Sequence, residues 1–276
     1  VAVSYGLAGK TAVITGAGRR GGLGAGIAAR LKAEGANIVL SDIAAPLEPS
    51  TGDPAYAREI DALAAELGDG VSTFACDVRH WPQVQALAAH AVETHGSLDI
   101  WVNNAGIGSL MKPLLSLQPE DWTTVIDVNL TGAFFGLRAA ADIMVPQGRG
   151  GRIINIASQA SKSGFIHAQA YTASKHGLVG LVRSAAIELG PHGITVNNIC
   201  PNHVTTGLGA WQNEYFAEVT GHASVDSYIA AMRARIPMGR TGLPADIAAA
   251  VAFLCSDDAA YITAESMNVS GGEEPH

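Results

Sequence analysis

Short apolar runs rich in β-branched residues alternate with longer Ala- and Leu-rich stretches of helical period along the whole chain. The runs at 11–15, 37–41, 71–76, 98–103, 152–157, 193–200 and 266–269 show little polar alternation. Strands of that kind are buried on both faces, as in a parallel sheet covered by helices on each side. The intervening stretches 23–34, 54–67, 82–95, 119–145, 170–189 and 244–255 are predicted as those helices, because parallel neighbours must be joined by crossovers. The expectation is an α/β fold, a doubly wound parallel sheet of about seven strands in a single domain over 1–276. Two segments break the rhythm. The stretch 43–53, with Pro46, Pro49 and Gly52, is predicted as an extended loop. The stretch 207–240, rich in Gly, aromatics and short helical patches, is predicted as a lid over the carboxyl edge of the sheet, where open α/β folds bind ligands.

Composition narrows the function. With 48% apolar and 15% charged residues the chain can bury a large core. A net charge of −8 gives no basic field for nucleic acid, and only Arg19-Arg20 pair up. No apolar run approaches the roughly 20 residues of a membrane span. The first ten residues lack the basic and apolar regions of a secretion signal. Cys76, Cys200 and Cys255 are odd in number and sit in apolar runs, so they read as buried thiols in a reducing, cytoplasmic setting. No metal is expected: His167 and His203 have no carboxylate or thiol at ligand spacing.

The segment from Thr15 to Gly24 links the first strand to the first helix. Gly16, Gly18, Gly22 and Gly24, with Leu23, would let the backbone turn sharply and present helix N-terminal amides to a pyrophosphate. Asp42, ending the second strand, is placed to accept hydrogen bonds from an adenosine ribose and to repel a 2′-phosphate, which favours NAD over NADP. Arg19 and Arg20 argue the other way, since a guanidinium there would pair with that phosphate. Alternatively, the turn is a plain strand–helix link and Asp42 caps a loop.

Tyr171 and Lys175 are four apart in a helical stretch, so they share a face. Ser158, at the end of the fifth strand, faces the same sheet edge. A free phenol, with pKa about 10, is too weak a base at neutral pH; a nearby ammonium favours the phenolate. Ser158 would then hydrogen-bond a substrate oxygen as charge develops on it. A Tyr and a Lys at this spacing are also a common accident of a solvated helix face.

Tyr171-Thr-Ala-Ser-Lys175 with Ser158 upstream resembles the short-chain dehydrogenase/reductase family. So do Asn103-Asn104-Ala105-Gly106 after the fourth strand, Asp77 after the third, and Asn129 within Asp127-Val-Asn129-Leu. The resemblance runs from about Lys10 to Gly272. It implies a Rossmann-like fold and an NAD(P)-dependent enzyme interconverting a secondary alcohol and its ketone. Ser158, Tyr171, Lys175 and Asn129 become the catalytic set, with the Asn129 backbone anchoring a water to Lys175. Lys175 and Tyr171 also meet the nicotinamide ribose. Asp77 and Val78 contact adenine, Asn104, Ala105 and Gly106 lie under the adenosine ribose, and Pro201, Val204 and Thr206 hold the carboxamide. The resemblance also implies a homo-oligomer, tetramer or dimer, packed through the long helices. Two departures stand out. Gly22 and Gly24 come two residues late, so the turn is expected to bulge at 19–21, and Pro201-Asn202 replaces the family's Pro-Gly.

Neighbours of these residues suggest the substrate. Gln159, Ser161, Ser163, His167, Gln169, Asn202 and His203 are polar and suit a hydroxylated substrate such as a polyol or sugar, with a cyclic alcohol the remaining alternative. Trp211, Tyr215 and Phe216 of the lid offer an apolar wall. The tail 271–276 is expected to reach a neighbouring subunit's pocket. Two rival readings are an NADP-dependent ketone reductase and a catalytically silent nucleotide-binding regulator.

Overall fold

The computed structural model describes residues 5–43, 56–206 and 209–275, the side chains of 56–58 and 209–211 excepted. Most of the expected loop at 43–53, with Pro46, Pro49 and Gly52, lies outside them. The strands are β1 (Thr11–Thr15), β2 (Asn37–Asp42), β3 (Val71–Ala75), β4 (Ile100–Asn103), β5 (Gly151–Ile156), β6 (Ile194–Pro201) and β7 (Ser266–Val269). They form one parallel sheet in the order β3-β2-β1-β4-β5-β6-β7. The order reverses between β1 and β4, which opens a crevice at their carboxyl ends.

Alternate strand residues serve opposite faces. Ala12, Ile14, Ile38, Leu40, Ile100, Val102 and Ile154 pack with α1 (Leu23–Ala33) and α9 (Pro244–Cys255). Val13, Val39, Trp101, Ile153 and Val196 pack on the other side with α3 (Trp81–His95), α5 (Gly132–Gln147) and α6 (Gln169–Leu189). Each such side chain gains roughly 1.5–3 kcal/mol from full burial, so the unbroken apolar runs make the sheet doubly covered. Helix α2 (Tyr56–Leu67) lies between β2 and β3 in the chain.

Near the carboxyl edge an amide ladder crosses four strands. Asn103 donates to Asn155 (2.8 Å), Asn155 to Asn198 (3.1 Å) and Asn198 to Ser266 (3.0 Å), each to its register partner. Trp101 Nε1 closes the near end on Asn103 Oδ1 at 2.7 Å. Leaving such a buried amide unpaired costs about 1–3 kcal/mol, so a one-residue slip is penalised on several strands at once. The strand ends bearing Asn104, Ser158 and Asn202 are thereby held level.

The predicted single helix 119–145 is instead two. Helix α4 (Pro119–Ile126) passes through a π turn at Asp127–Thr131 into α5. By length and composition alone, Pro119–Gln147 is apolar enough to cross a membrane, which amends the expectation that no stretch comes near that length. Half of its most apolar window is buried within this fold.

The predicted lid contains α7 (Gly209–Val219) and α8 (Val225–Arg235), which share a small core of Ala217, Tyr228 and Met232. Its stems are zipped together: Gly242 N–H donates to His203 O (2.8 Å) and Thr205 N–H to Gly242 O (2.9 Å).

Candidate active site

The floor of the crevice is built at the ends of β1 and β4. Thr15 Oγ1 accepts the backbone N–H groups of Asn104 and Ala105, both at 3.1 Å. Asn104 Nδ2 returns bonds to the carbonyls of Thr15 (2.9 Å) and Gly16 (2.8 Å). Gly16 has φ +66°, and a Cβ there would lie 2.6 Å from Ala105 Cα, so only glycine fits. A Cβ on Gly24 would lie 2.8 Å from Ala17 Cα, which explains its place in the first turn of α1. The two extra residues form the expected bulge, a turn closed by Gly22 N–H to Arg19 O at 3.1 Å with Gly21 at φ +67°. Gly22 caps α1 without a side-chain partner, and no acidic residue occupies the first turn. Such an N-terminus favours an anion.

Asp42 accepts the Gly18 N–H at 2.7 Å and its neighbour Ile43 N–H at 2.8 Å. Burial raises its pKa, against the pull of those two amides and of Arg19. Arg20 is turned away, its guanidinium on Glu66 and its N–H on Glu59. At Asp77 burial works upward, but the forked bonds and charge of Arg79, at 2.6–3.0 Å, and the charge of His80 hold the carboxyl below the usual range.

The chemistry-bearing side chains meet where β5 hands over to α6. Ser158 Oγ accepts the Ala160 N–H (3.1 Å) at the start of a 3₁₀ turn, and its hydroxyl lies near enough to the Tyr171 phenol to act on it. Lys175, buried one helical turn on, lies 5.6 Å from the centre of the Tyr171 ring and donates to Ile156 O at 2.8 Å. Burial pushes the Tyr171 phenol up, with Ser158 pulling the other way, and brings the Lys175 amine down to about 8. Desolvation opposes both ionised forms.

Asn129 occupies the π turn. It grips the backbone of Ile107 from both sides, accepting its N–H (2.8 Å) and donating to its carbonyl (3.0 Å), and it also reaches Ser174 Oγ at 3.2 Å. π Turns are uncommon and concentrate at functional sites. Here the turn ties the loop after Gly106 to α6 beside Lys175.

A single cavity of about 970 Å³ joins these parts. Gly16, Arg19, Gly22, Leu23, Asp42, Asp77, Val78 and Asn104–Gly106 line one end; Ser158, Tyr171, Lys175, Pro201, Val204 and Thr206 line the middle. Gln159, Asn202, His203 and Phe216 also line it, as expected. His167 does not. It sits at φ +65° with Nδ1 on Tyr215 Oη at 2.8 Å, joining the lid from outside the cavity wall. Ser161, Ser163 and Gln169 are likewise turned off the wall, and the side chain of Trp211 lies outside the described residues. The sequence reading missed Met111, Phe165, Ile166, Ile229 and Met232, which make the outer wall largely apolar. The Phe165 ring lies between Tyr171 (6.2 Å, tilted) and Phe216 (5.8 Å, edge-on). Among the described residues no group of three His, Cys, Asp or Glu is placed to hold a metal ion.

Comparison with known proteins identifies the family. A family model described as "Enoyl-(Acyl carrier protein) reductase" matches residues 16–274. The 3beta-hydroxysteroid dehydrogenase 1 of Eggerthella lenta is 38% identical over 266 residues, 96% of this chain and 94% of that protein. The structure of carveol dehydrogenase from Mycobacterium avium in complex with NAD is similar with a TM-score of 0.90 and 32% identity, covering 98% of this chain and 99% of that one. An actinorhodin polyketide ketoreductase structure with NADPH gives 0.86 and 35%, covering 97% and 98%. Relatives named for polyols match over the same span. The chain therefore belongs to the short-chain dehydrogenase/reductase family and is an oxidoreductase acting on hydroxyl or ketone groups.

Proposed function

We propose that this chain, acting as one unit over 1–276, is an NAD-dependent dehydrogenase of secondary alcohols and that a cyclic alcohol with an apolar body suits it best. The convergence of Ser158, Tyr171 and Lys175 on a cavity that carries Asp42 at its other end supports this reading. The residues fit a dinucleotide: the α1 N-terminus and its glycines offer amides to the pyrophosphate, Asp42 meets the adenosine ribose, Asp77 and Val78 the adenine, and 201–206 the carboxamide. A bound nicotinamide supplies the hydride acceptor and, when oxidised, one further positive charge beside the phenol. Ser158 holds the alcohol oxygen, Tyr171 takes its proton, and Lys175 favours the resulting phenolate.

The outer wall favours rings over polyols, because Phe165, Phe216 and Met232 offer no hydrogen bonds to extra hydroxyls. A panel of cyclic alcohols, polyols and sugars followed by NADH absorbance tests this. Phe216→Ala is expected to raise KM for the best cyclic alcohol about tenfold, with small open-chain alcohols nearly unaffected. Higher turnover on polyols, with Phe216→Ala silent, would overturn the substrate class.

Cofactor choice rests on Asp42. Arg20 is committed to Glu66, while Asp42 reaches the cavity with its charge. Asp42→Ala is expected to lower kcat/KM for NAD roughly 10- to 100-fold, the worth of a charged hydrogen bond, and to leave NADP unchanged or improved. An unaltered preference would mean that Asp42 only buttresses Gly18.

The same reading includes assembly as a dimer or tetramer, with the exposed Trp122, Phe134 and Ile187 of α4, α5 and α6 at the interface. Light scattering showing a monomer at micromolar concentration would refute it. A reducing compartment such as the cytoplasm suits the three buried free thiols.

A further inference from the structure

Asn202, which stands where the resembling family has glycine, has a partner within its own chain. Its Nδ2 donates to Glu273 Oε2, and the other oxygen of that carboxylate accepts from Arg235 Nε at 3.1 Å. Asn202 lines the cavity just beyond β6, and Arg235 ends the lid helix α8. The Glu273 side chain is only 12% exposed. Burial raises the phenol of Tyr228 on α8, and Arg235 and Glu273 both act on it, so the pair also sits beside the lid's inner face.

The route of the chain to this point is fixed. Gly271, at φ +63°, rides so close to the lid that a Cβ would lie 2.7 Å from Ile236 Cγ2. Its carbonyl accepts the Met238 N–H at 3.1 Å. The next carboxylate, Glu274, is buried and accepts from Ser163 Oγ at 3.0 Å, in the loop that carries Gln159. Residues 271–274 therefore touch the loop after β5, the segment after β6 and the lid of their own chain. Helix α7 has separate ties, Gln212 to Gly108 O (3.0 Å) and Tyr215 to His167. Helix α8 packs chiefly on α7.

We propose that Glu273 is a positioning residue that clamps α8 to the substrate edge of the sheet through Arg235 and Asn202. The clamp sets how far Tyr228, Ile229 and Met232 stand from the catalytic serine. Substrate entry beneath α8 rests on the functional reading above, but the clamp itself does not.

The test compares the full-length protein with Glu273→Gln, which keeps shape and removes charge, and with Asn202→Gly. Hydrogen exchange followed by mass spectrometry is expected to speed up about tenfold in 225–235 of Glu273→Gln, the loss of a charge-assisted contact. Exchange in β5, β6 and α6 should stay as in the parent. KM for the alcohol should rise about five- to tenfold with kcat within about twofold, and the two substitutions combined should do no more than the stronger one alone. Unchanged exchange in α8, or faster exchange throughout the sheet, would overturn the proposal, as would effects that simply add. A parent enzyme that turns over no cyclic alcohol would defeat the substrate reading and leave the exchange result to decide the clamp.

Discussion

Tyr171→Phe is expected to lower turnover about 1,000-fold or more while leaving cofactor affinity within about twofold. The phenol lines the cavity near Ser158 and beside a buried amine. Phenylalanine keeps the ring packed against Phe165 and removes only the proton acceptor. Initial rates by NADH absorbance, with cofactor binding by calorimetry, separate the two properties. A variant that still turns over at the parent rate would end the assignment of Tyr171. A parent that binds dinucleotide and turns over nothing would favour the silent-regulator reading instead.

Lys175→Met should give a different signature. An ammonium 5.6 Å from the ring centre favours a phenolate by roughly 3 kcal/mol at an effective dielectric near 20, or about two pH units. Removing the cation raises the phenol, so the rising limb of alcohol oxidation moves about two units toward alkaline pH. At pH 7 the rate falls roughly 100-fold, and it recovers at high pH. The parent limb should be poised near neutrality despite the burial of both groups, because the phenolate holds the proton on the amine, whose own pKa lies at about 8, and the amine stabilises the phenolate. Tyr171→Phe, by contrast, should be inert at every pH. A Lys175→Met profile that is lower but unshifted would assign the lysine to ribose binding alone.

The sheet was legible because β-branched runs buried on both faces leave a plain imprint, and every expected strand appears with its ends within two residues. The spacing of Tyr171 and Lys175 alone is a common accident, and it was the family pattern with Ser158 upstream that singled them out; the structure brings all three to one cavity. The substrate wall was not legible. Ser161, Ser163 and Gln169 neighbour Ser158 and Tyr171 in sequence, but a 3₁₀ turn and a helix start rotate them off the cavity. The orientation of His167 depends on a left-handed backbone and on Tyr215, nearly fifty positions away, which no local pattern encodes. Phe165-Ile166, an exposed apolar pair in a polar stretch, was a signal that went unread. So was the helical spacing of Tyr228, Ile229 and Met232, which puts them on one face of α8.

The wide turn at Asp127–Thr131 also bears on which insertions and deletions the chain tolerates. Each residue of an α-helix advances its side chains by about 100° around the axis, so the length of the turn sets the phase of the two flanking segments relative to one another. Shortening the turn by one position would rotate Ala133 and Leu137 off the sheet or swing Asn129 away from Ile107. The length of this stretch is therefore as constrained as the identity of Asn129 within it.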